Sequence, residues 1–221
     1  MKKKKGKKDV IIFSLLIITT IVLIPLINFN LIIYNRDLLK NELDKLNVYE
    51  NFEDKTYPSR ALGEILDYFT NENAGNPEIE GFNERENSHM RDVKLLINRI
   101  IFFEFCLIFL WIILFLIFIL DKKNIIYKLS RILFYSGGSL IILILFFIIV
   151  SIFAFNYSFI IFHKLFFTGE TWLFPVDSTI IELFPAQFFQ NMFIKIIINT
   201  GLSAVLFFIA GFIIMRVRKN N

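Results

Sequence analysis

The chain has 221 residues, is 56% hydrophobic and contains 28 phenylalanines, with a net charge of +4 and a mean hydropathy of +0.61. Soluble domains are about 45–50% apolar, so this composition excludes an ordinary water-soluble domain. One cysteine excludes a disulfide framework or a Cys-x-x-Cys metal site, and basic residues that flank apolar runs argue for membrane topology, not nucleic-acid binding.

A spanning helix needs about 20 apolar residues. Four runs qualify: Val10–Tyr34, Leu95–Leu120, Ile132–Phe155 and Met192–Met215. The fold class expected is therefore an all-α membrane protein, a four-transmembrane-helix bundle with a small extracytoplasmic cap. Pro25 falls inside the first run and is a candidate kink. That run has a basic start but is too long for a signal-peptide core and lacks a small-residue cleavage site, so it reads as an uncleaved signal anchor. Cys106 lies inside the second run and reads as a buried structural thiol.

Basic residues set the orientation. Met1–Asp9, Asp121–Arg131 and Arg216–Asn221 hold 13 Lys or Arg against two acids, Asp9 and Asp121. Both termini and the middle loop are thus expected in the cytoplasm. The organisation expected is a basic tail and first span (residues 1–34), an extracytoplasmic cap (35–94), the second span (95–120), a cytoplasmic loop (121–131), the third span (132–155), an aromatic extracytoplasmic loop (156–191), and a fourth span with a basic tail (192–221).

Within the cap, Arg36–Leu46 has helical periodicity and Asn47–Pro58 breaks it. Ser59 can cap a helix running through Thr70 with Leu62, Ile65 and Tyr68 on one side. Asn71–Asn76 is a loop by composition, and Glu84–Lys94 is a helical lead-in to the second span. In the second outer segment, aromatics are dense from Phe162 to Phe189. Thr179 and Glu182 fit a capping box between Pro175 and Pro185. Such a segment suits the headgroup region; an ordinary aromatic belt is the plainer reading.

The two histidines, His89 and His163, fall at the outer boundary of the second and third spans. Antiparallel spans bring those ends together, and imidazole takes and returns protons near neutral pH. Helical spacing puts Arg85, His89, Asp92, Leu96 and Arg99 on one stripe. Asp92 can then bond a ring nitrogen of His89, and the arginines can hold an anion. Asn156 lies seven residues before His163, and Gln187, Asn191, Lys195 and Asn199 recur every four residues. Polar stripes on three helices suggest a wet cleft. Each residue also has a plainer reading: an interfacial histidine is usually a hydrogen-bonded surface group, Arg85 and Asp92 can be helix-surface charges, Asp177 and Thr179 can cap a turn, and Glu104 can pair with Arg99. No Gly-x-Ser-x-Gly elbow, Gly-rich phosphate loop or His-Glu-x-x-His motif is present.

The stretch Arg85-Glu86-Asn87-Ser88-His89-Met90-Arg91-Asp92-Val93-Lys94 resembles a signature of a bacterial family of four-span membrane proteins. So does the stretch from Phe162-His163-Lys164-Leu165-Phe166-Phe167 through Trp172-Leu173-Phe174, Asp177 and Phe184-Pro185 to Phe188-Phe189. That family includes the lipoprotein intramolecular transacylase of low-GC Gram-positive bacteria. The resemblance implies an enzyme of the cell membrane that moves the sn-2 acyl chain of a diacylglyceryl lipoprotein to the α-amine of its N-terminal cysteine, leaving the lyso form. It implies no cofactor, no metal, and diacylglyceryl lipoproteins and membrane lipid as partners, with the oligomeric state open. The family's histidine pair falls on His89 and His163. The reading assigns His89, oriented by Asp92, as general base and His163 as oxyanion donor or proton return, with Arg85, Trp172 and Asp177 orienting or binding substrate. A non-catalytic lipid- or lipoprotein-binding protein and, less well, a small transporter compete with it.

Overall fold

A computed structural model describes residues 6–120, 124–169 and 171–220. The start of the expected basic tail (1–5), part of the expected cytoplasmic loop (121–123) and residue 221 lie outside the described residues. Among the described residues eight α-helices follow in order: α1 Lys7–Ile33, α2 Arg36–Lys45, α3 Tyr57–Thr70, α4 Glu84–Ile119, α5 Ile125–Phe153, α6 Phe155–Phe166, α7 Thr179–Leu183 and α8 Ala186–Asn220. A 3-10 turn, Val48–Asn51, precedes α3. Four helices, α1, α4, α5 and α8, are long and apolar enough to cross a membrane. The chain is an all-α, multi-pass membrane protein.

The residues fall into two compact units. The first comprises the described parts of Met1–Asn28, Phe102–Ile148 and Ile196–Asn221. It is a four-helix bundle. Ile12 and Leu16 of α1 pack with Leu114 and Phe118 of α4 and Ile132 of α5. Ile24 of α1 meets Leu140 of α5 and Ala204 of α8. α1 runs unbroken through Pro25. Trp111 of α4 donates to Thr20 Oγ1 of α1 at 2.9 Å, an interhelical bond of the kind that holds helices together in lipid. Where α5 and α8 cross, side chains give way to backbone. A β-carbon added to Gly137 would sit 2.5 Å from the Phe208 amide nitrogen, and one added to Gly211 would sit 2.5 Å from that of Phe134. Outward, Phe102, Phe105 and Phe109 of α4 are exposed, a face suited to acyl chains. Cys106 is exposed among them, so the expected burial is corrected; its place on α4 turns it out from the helix neighbours.

The second unit comprises Phe29–Ile101 and Ile149–Lys195. Here α2 and α3 present Leu39, Leu43, Ala61, Leu62, Ile65 and Leu66 to its core. α3 begins one turn earlier than expected, with Pro58 in its first turn and Ser59 inside the helix, its hydroxyl bonded to Tyr49 at 2.8 Å. Asp54 instead accepts the Thr56 amide and the Arg60 guanidinium at 2.8 Å each. The buried Glu42 of α2 accepts from Asn191 and, at 2.7 Å, from Lys195 Nζ of α8. Burial raises that carboxyl's pKa, but the bonds from Lys195 and Asn191 outweigh it and hold it below its ordinary value.

The third apolar run, Ile132–Phe155, lies in α5 as far as Phe153, and the segment read as a loop after it opens with a helix, α6. α5 ends at Phe153, Ala154 leaves helical geometry (φ −137°), and α6 begins at Phe155. The Ser151 carbonyl takes Gln190 Nε2 of α8 at 2.8 Å. The break falls within two residues of the end of the apolar run at Phe155; the partner that makes it tolerable comes from 39 positions away.

Two outcomes test this packing. Gly211→Leu forces a side chain into the backbone contact and should lower stability by about 1–3 kcal/mol, read as a lower unfolding temperature in detergent. Lys195→Ala leaves the Glu42 carboxylate buried and should cost about 3–5 kcal/mol in the same assay, with Glu42→Gln milder.

Candidate active site

The first turn of α4 is built by reciprocal capping. Asn83 Oδ1 accepts the Glu86 amide at 3.0 Å, and Glu86 Oε2 accepts the Asn83 amide at 2.8 Å. The turn before it is fixed by Asn87, whose Oδ1 accepts the Ile79 amide at 3.0 Å. Gly81 takes a positive φ of 79° there, and a β-carbon on it would meet the Tyr57 hydroxyl at 2.5 Å. One turn further along α4 stands His89, 6% exposed.

α6 supplies the second imidazole. His163 is 9% exposed, and its Nδ1 lies 2.8 Å from the Phe159 carbonyl oxygen. A carbonyl only accepts, so the proton sits on Nδ1 and neutral His163 carries its lone pair on Nε2. The two rings lie 6.1 Å apart between centroids with a 25° interplanar angle. An aromatic shell encloses them: Phe167 touches both rings, at 5.1 Å from His89 and 5.4 Å from His163. Phe174 contacts His89 at 5.5 Å, and Trp172 contacts His163 at 5.1 Å. Burial in that shell pushes the His163 pKa below its ordinary value of 6.5, against a smaller opposite effect of the Phe159 bond. His89 Nδ1 is buried and has no hydrogen-bond partner, so reactants can reach this ring only at Nε2.

The sequence-predicted residues divide. His89, His163 and Trp172 are brought together. Arg85 is exposed, with its guanidinium carbon 5.6 Å from the centre of the Phe174 ring. Asp92 does not bond His89. Its Oδ2 accepts Thr171 Oγ1 at 3.4 Å, because Thr171 occupies that side of the helix. Asp177 is exposed in the turn before α7 and bonds neither histidine. The expected capping box of Thr179 and Glu182 does not form; Ser178 precedes α7 and turns its hydroxyl back to the Pro175 carbonyl. Gln187, Asn191 and Lys195 are joined to one another or to Glu42 and do not line an open cleft. Asn156 is exposed and lines a separate groove of about 320 Å³ with Tyr157 and Gln190. Among the described residues, no group of three or more His, Cys, Asp or Glu is placed to hold a metal ion.

Sequence reasoning missed Glu86, Phe159 and Thr171. The Asn83-x-x-Glu86 pattern ahead of the helix signals the cap, but nothing local signals that the other Glu86 oxygen accepts the Ile180 amide at 2.9 Å. A backbone carbonyl partner such as that of Phe159 has no sequence signature.

The arrangement offers a proton acceptor and a nitrogen donor in a buried aromatic enclosure, suited to acyl transfer. Comparison with known proteins agrees. The family model described as lipoprotein intramolecular transacylase Lit matches residues 10–189. Among solved structures, the membrane-integral lipoprotein intramolecular transacylase Lit from Bacillus cereus is similar with a TM-score of 0.85 at 21% identity, covering 98% of this chain and 100% of that one. Two variants of that protein, with a histidine changed to arginine or to alanine, match with TM-scores of 0.77 and 0.78 at the same identity, each covering at least 97% of this chain and 95% of the other. At that identity the likeness is one of fold. No curated protein matches the chain. The family match spans most of the sequence, and the chain belongs to the lipoprotein intramolecular transacylase family, Lit.

Proposed function

We infer that the enclosed imidazole pair is where this chain carries out its family's reaction. The protein is a membrane acyltransferase of lipoproteins. Its substrate is a diacylglyceryl lipoprotein with a free N-terminal cysteine amine, and the acyl chain moves from the glyceryl sn-2 oxygen to that nitrogen. The observation that carries this reading is the meeting of His89 and His163, 74 positions apart, in one aromatic shell at 6.1 Å.

Each residue has a role set by its surroundings. The neutral His163, with Nδ1 committed to Phe159, presents the Nε2 lone pair and serves as base. The α-amine of a peptide has an ordinary pKa of about 7.7–8.0, so part of it is already the neutral nucleophile at neutral pH, and His163 takes the proton released on attack. The nitrogen attacks the ester carbonyl carbon and gives its proton to His163 Nε2. His89, through Nε2–H, donates to the oxyanion that forms. The intermediate then collapses: the carbon–oxygen bond to the sn-2 position breaks, and His163 returns the proton to the departing glyceryl oxygen. An N-acyl amide and a lyso-glyceryl group result, with atoms and charge balanced. This reverses the assignment from sequence alone, and the tautomer of His163 supports the reversal. Donor and acceptor belong to one molecule, so the protein chiefly holds a near-attack geometry.

The basic residues place both termini on the cytoplasmic side and the second unit, with its histidines, on the outer face of the cell membrane. There a substrate keeps its acyl chains in lipid and its peptide in water. Residues 35–94 and 156–191 form the extracytoplasmic part of the chain in this reading.

His89→Ala and His163→Ala, each shown folded and inserted, should lower conversion of a reporter lipoprotein to its lyso form by about 100-fold or more, measured by mass spectrometry of the N-terminal peptide. Wild-type levels of lyso product in either variant would defeat the mechanism. The pH profile is a second check. His163 must be neutral to act, and burial places its pKa below 6.5. The attacking amine must be neutral as well, so turnover at saturating substrate should fall about tenfold per pH unit below about 7.7–8.0, where the amine protonates, and about a hundredfold per unit once His163 protonates too, below 6.5. A limb that keeps a slope of one at every pH below 6.5 would take His163 out of the base role.

A further inference from the structure

Glu86, His89 and Asp92 recur every three residues and share a face of α4. The two carboxylates beside the histidine both reach one segment of the chain. Asp92 Oδ2 accepts Thr171 Oγ1 at 3.4 Å, and Glu86 Oε1 accepts the Ile180 amide at 2.9 Å. Between these two points lie Trp172, against His163, and Phe174, against His89. From Thr171 to Ser178 the segment has no helix and no strand. Its attachment points on α4 are six residues apart, about 9 Å along the axis. The segment's nine residue steps could extend about 30 Å. The path of the segment is thus set by where its ends are held, not by its own backbone pattern.

Glu86 is 1% exposed. An apolar side chain would fill that space without the cost of burying a carboxylate. What it would not do is accept a backbone amide from a distant segment while also closing the cap of its own helix. The first turn of α4, whose free amides favour an anion, makes the buried carboxylate tolerable.

We propose that Glu86 and Asp92 are positioning residues forming a two-point clasp, which fixes the Thr171–Ile180 segment across α4 and so sets Trp172 and Phe174 against the two imidazoles. Asp92 acts through Thr171 and not on His89. The consequence for turnover rests on the reading of the histidine pair given above; the consequence for Trp172 does not.

The chain has two tryptophans, Trp111 and Trp172. In the full-length Trp111→Phe protein in detergent, Trp172 is the sole tryptophan reporter. Glu86→Ala should shift its emission to longer wavelength and weaken its quenching by His163. It should also lower kcat for lyso-lipoprotein formation about tenfold, with KM changed less than threefold. Glu86→Gln keeps an acceptor for the Ile180 amide and should restore both. Thr171→Val should match Asp92→Ala, with the double variant no worse than either. A folded Glu86→Ala protein with unchanged Trp172 emission and kcat overturns the clasp. If Glu86→Ala does not fold, Thr171→Val decides alone, and no change in emission or kcat overturns it. Loss of turnover in both histidine variants with an unaffected Glu86→Ala protein sinks the clasp and spares the active-site reading. A shifted Trp172 with full turnover in the histidine variants does the reverse.

Discussion

A polar group without water needs a partner inside the protein, and the second unit is arranged around that constraint. Glu42 is buried with Lys195 and Asn191. The Ser151 carbonyl, at the break between α5 and α6, is met by Gln190. Glu86 divides its two oxygens between its own helix cap and the Ile180 amide. All of these bonds but the Glu86 cap join segments distant in sequence, so satisfying the polar groups and assembling the unit are one process. His89 Nδ1 is left out of this scheme, buried without a partner. Ser151 Oγ in the same unit is likewise buried without a partner; the His89 exception falls beside the second histidine.

The aromatic shell does more than fill space. A ring of Phe167, Phe174 and Trp172 excludes water from the imidazoles and favours their neutral forms. A neutral base near an ester and an amine is what an acyl shift between two parts of one molecule needs, and a dry site denies water the same ester. Two charged imidazoles 6.1 Å apart in such surroundings would repel strongly, and the proposed cycle, which charges His163 alone, avoids this.

The first unit works by different means. Apolar contacts give little preference between helix and lipid, so close backbone approach at Gly137 and Gly211 and an interhelical bond from Trp111 to Thr20 supply what hydrophobicity cannot. Its outward phenylalanines face acyl chains and need no partner.

Much of this was legible in the sequence for a simple reason: spanning length, apolar content and charge asymmetry are local sums. Four apolar runs fixed the number of spans, and His89 and His163, the chain's two histidines at matching ends of successive spans, marked the site. The helical lead-in from Glu84 was readable because capping and periodicity act within one turn. Tertiary structure alone decided what Asp92 bonds, that Glu86 holds Ile180, that Gln190 meets the Ser151 carbonyl, and which nitrogen of His163 carries the proton. Those outcomes depend on groups that arrive from 39 to 94 positions away, or, at His163, on a main-chain carbonyl that every residue possesses. Spacing can put a side chain on a face; it carries no information about what another segment brings to that face.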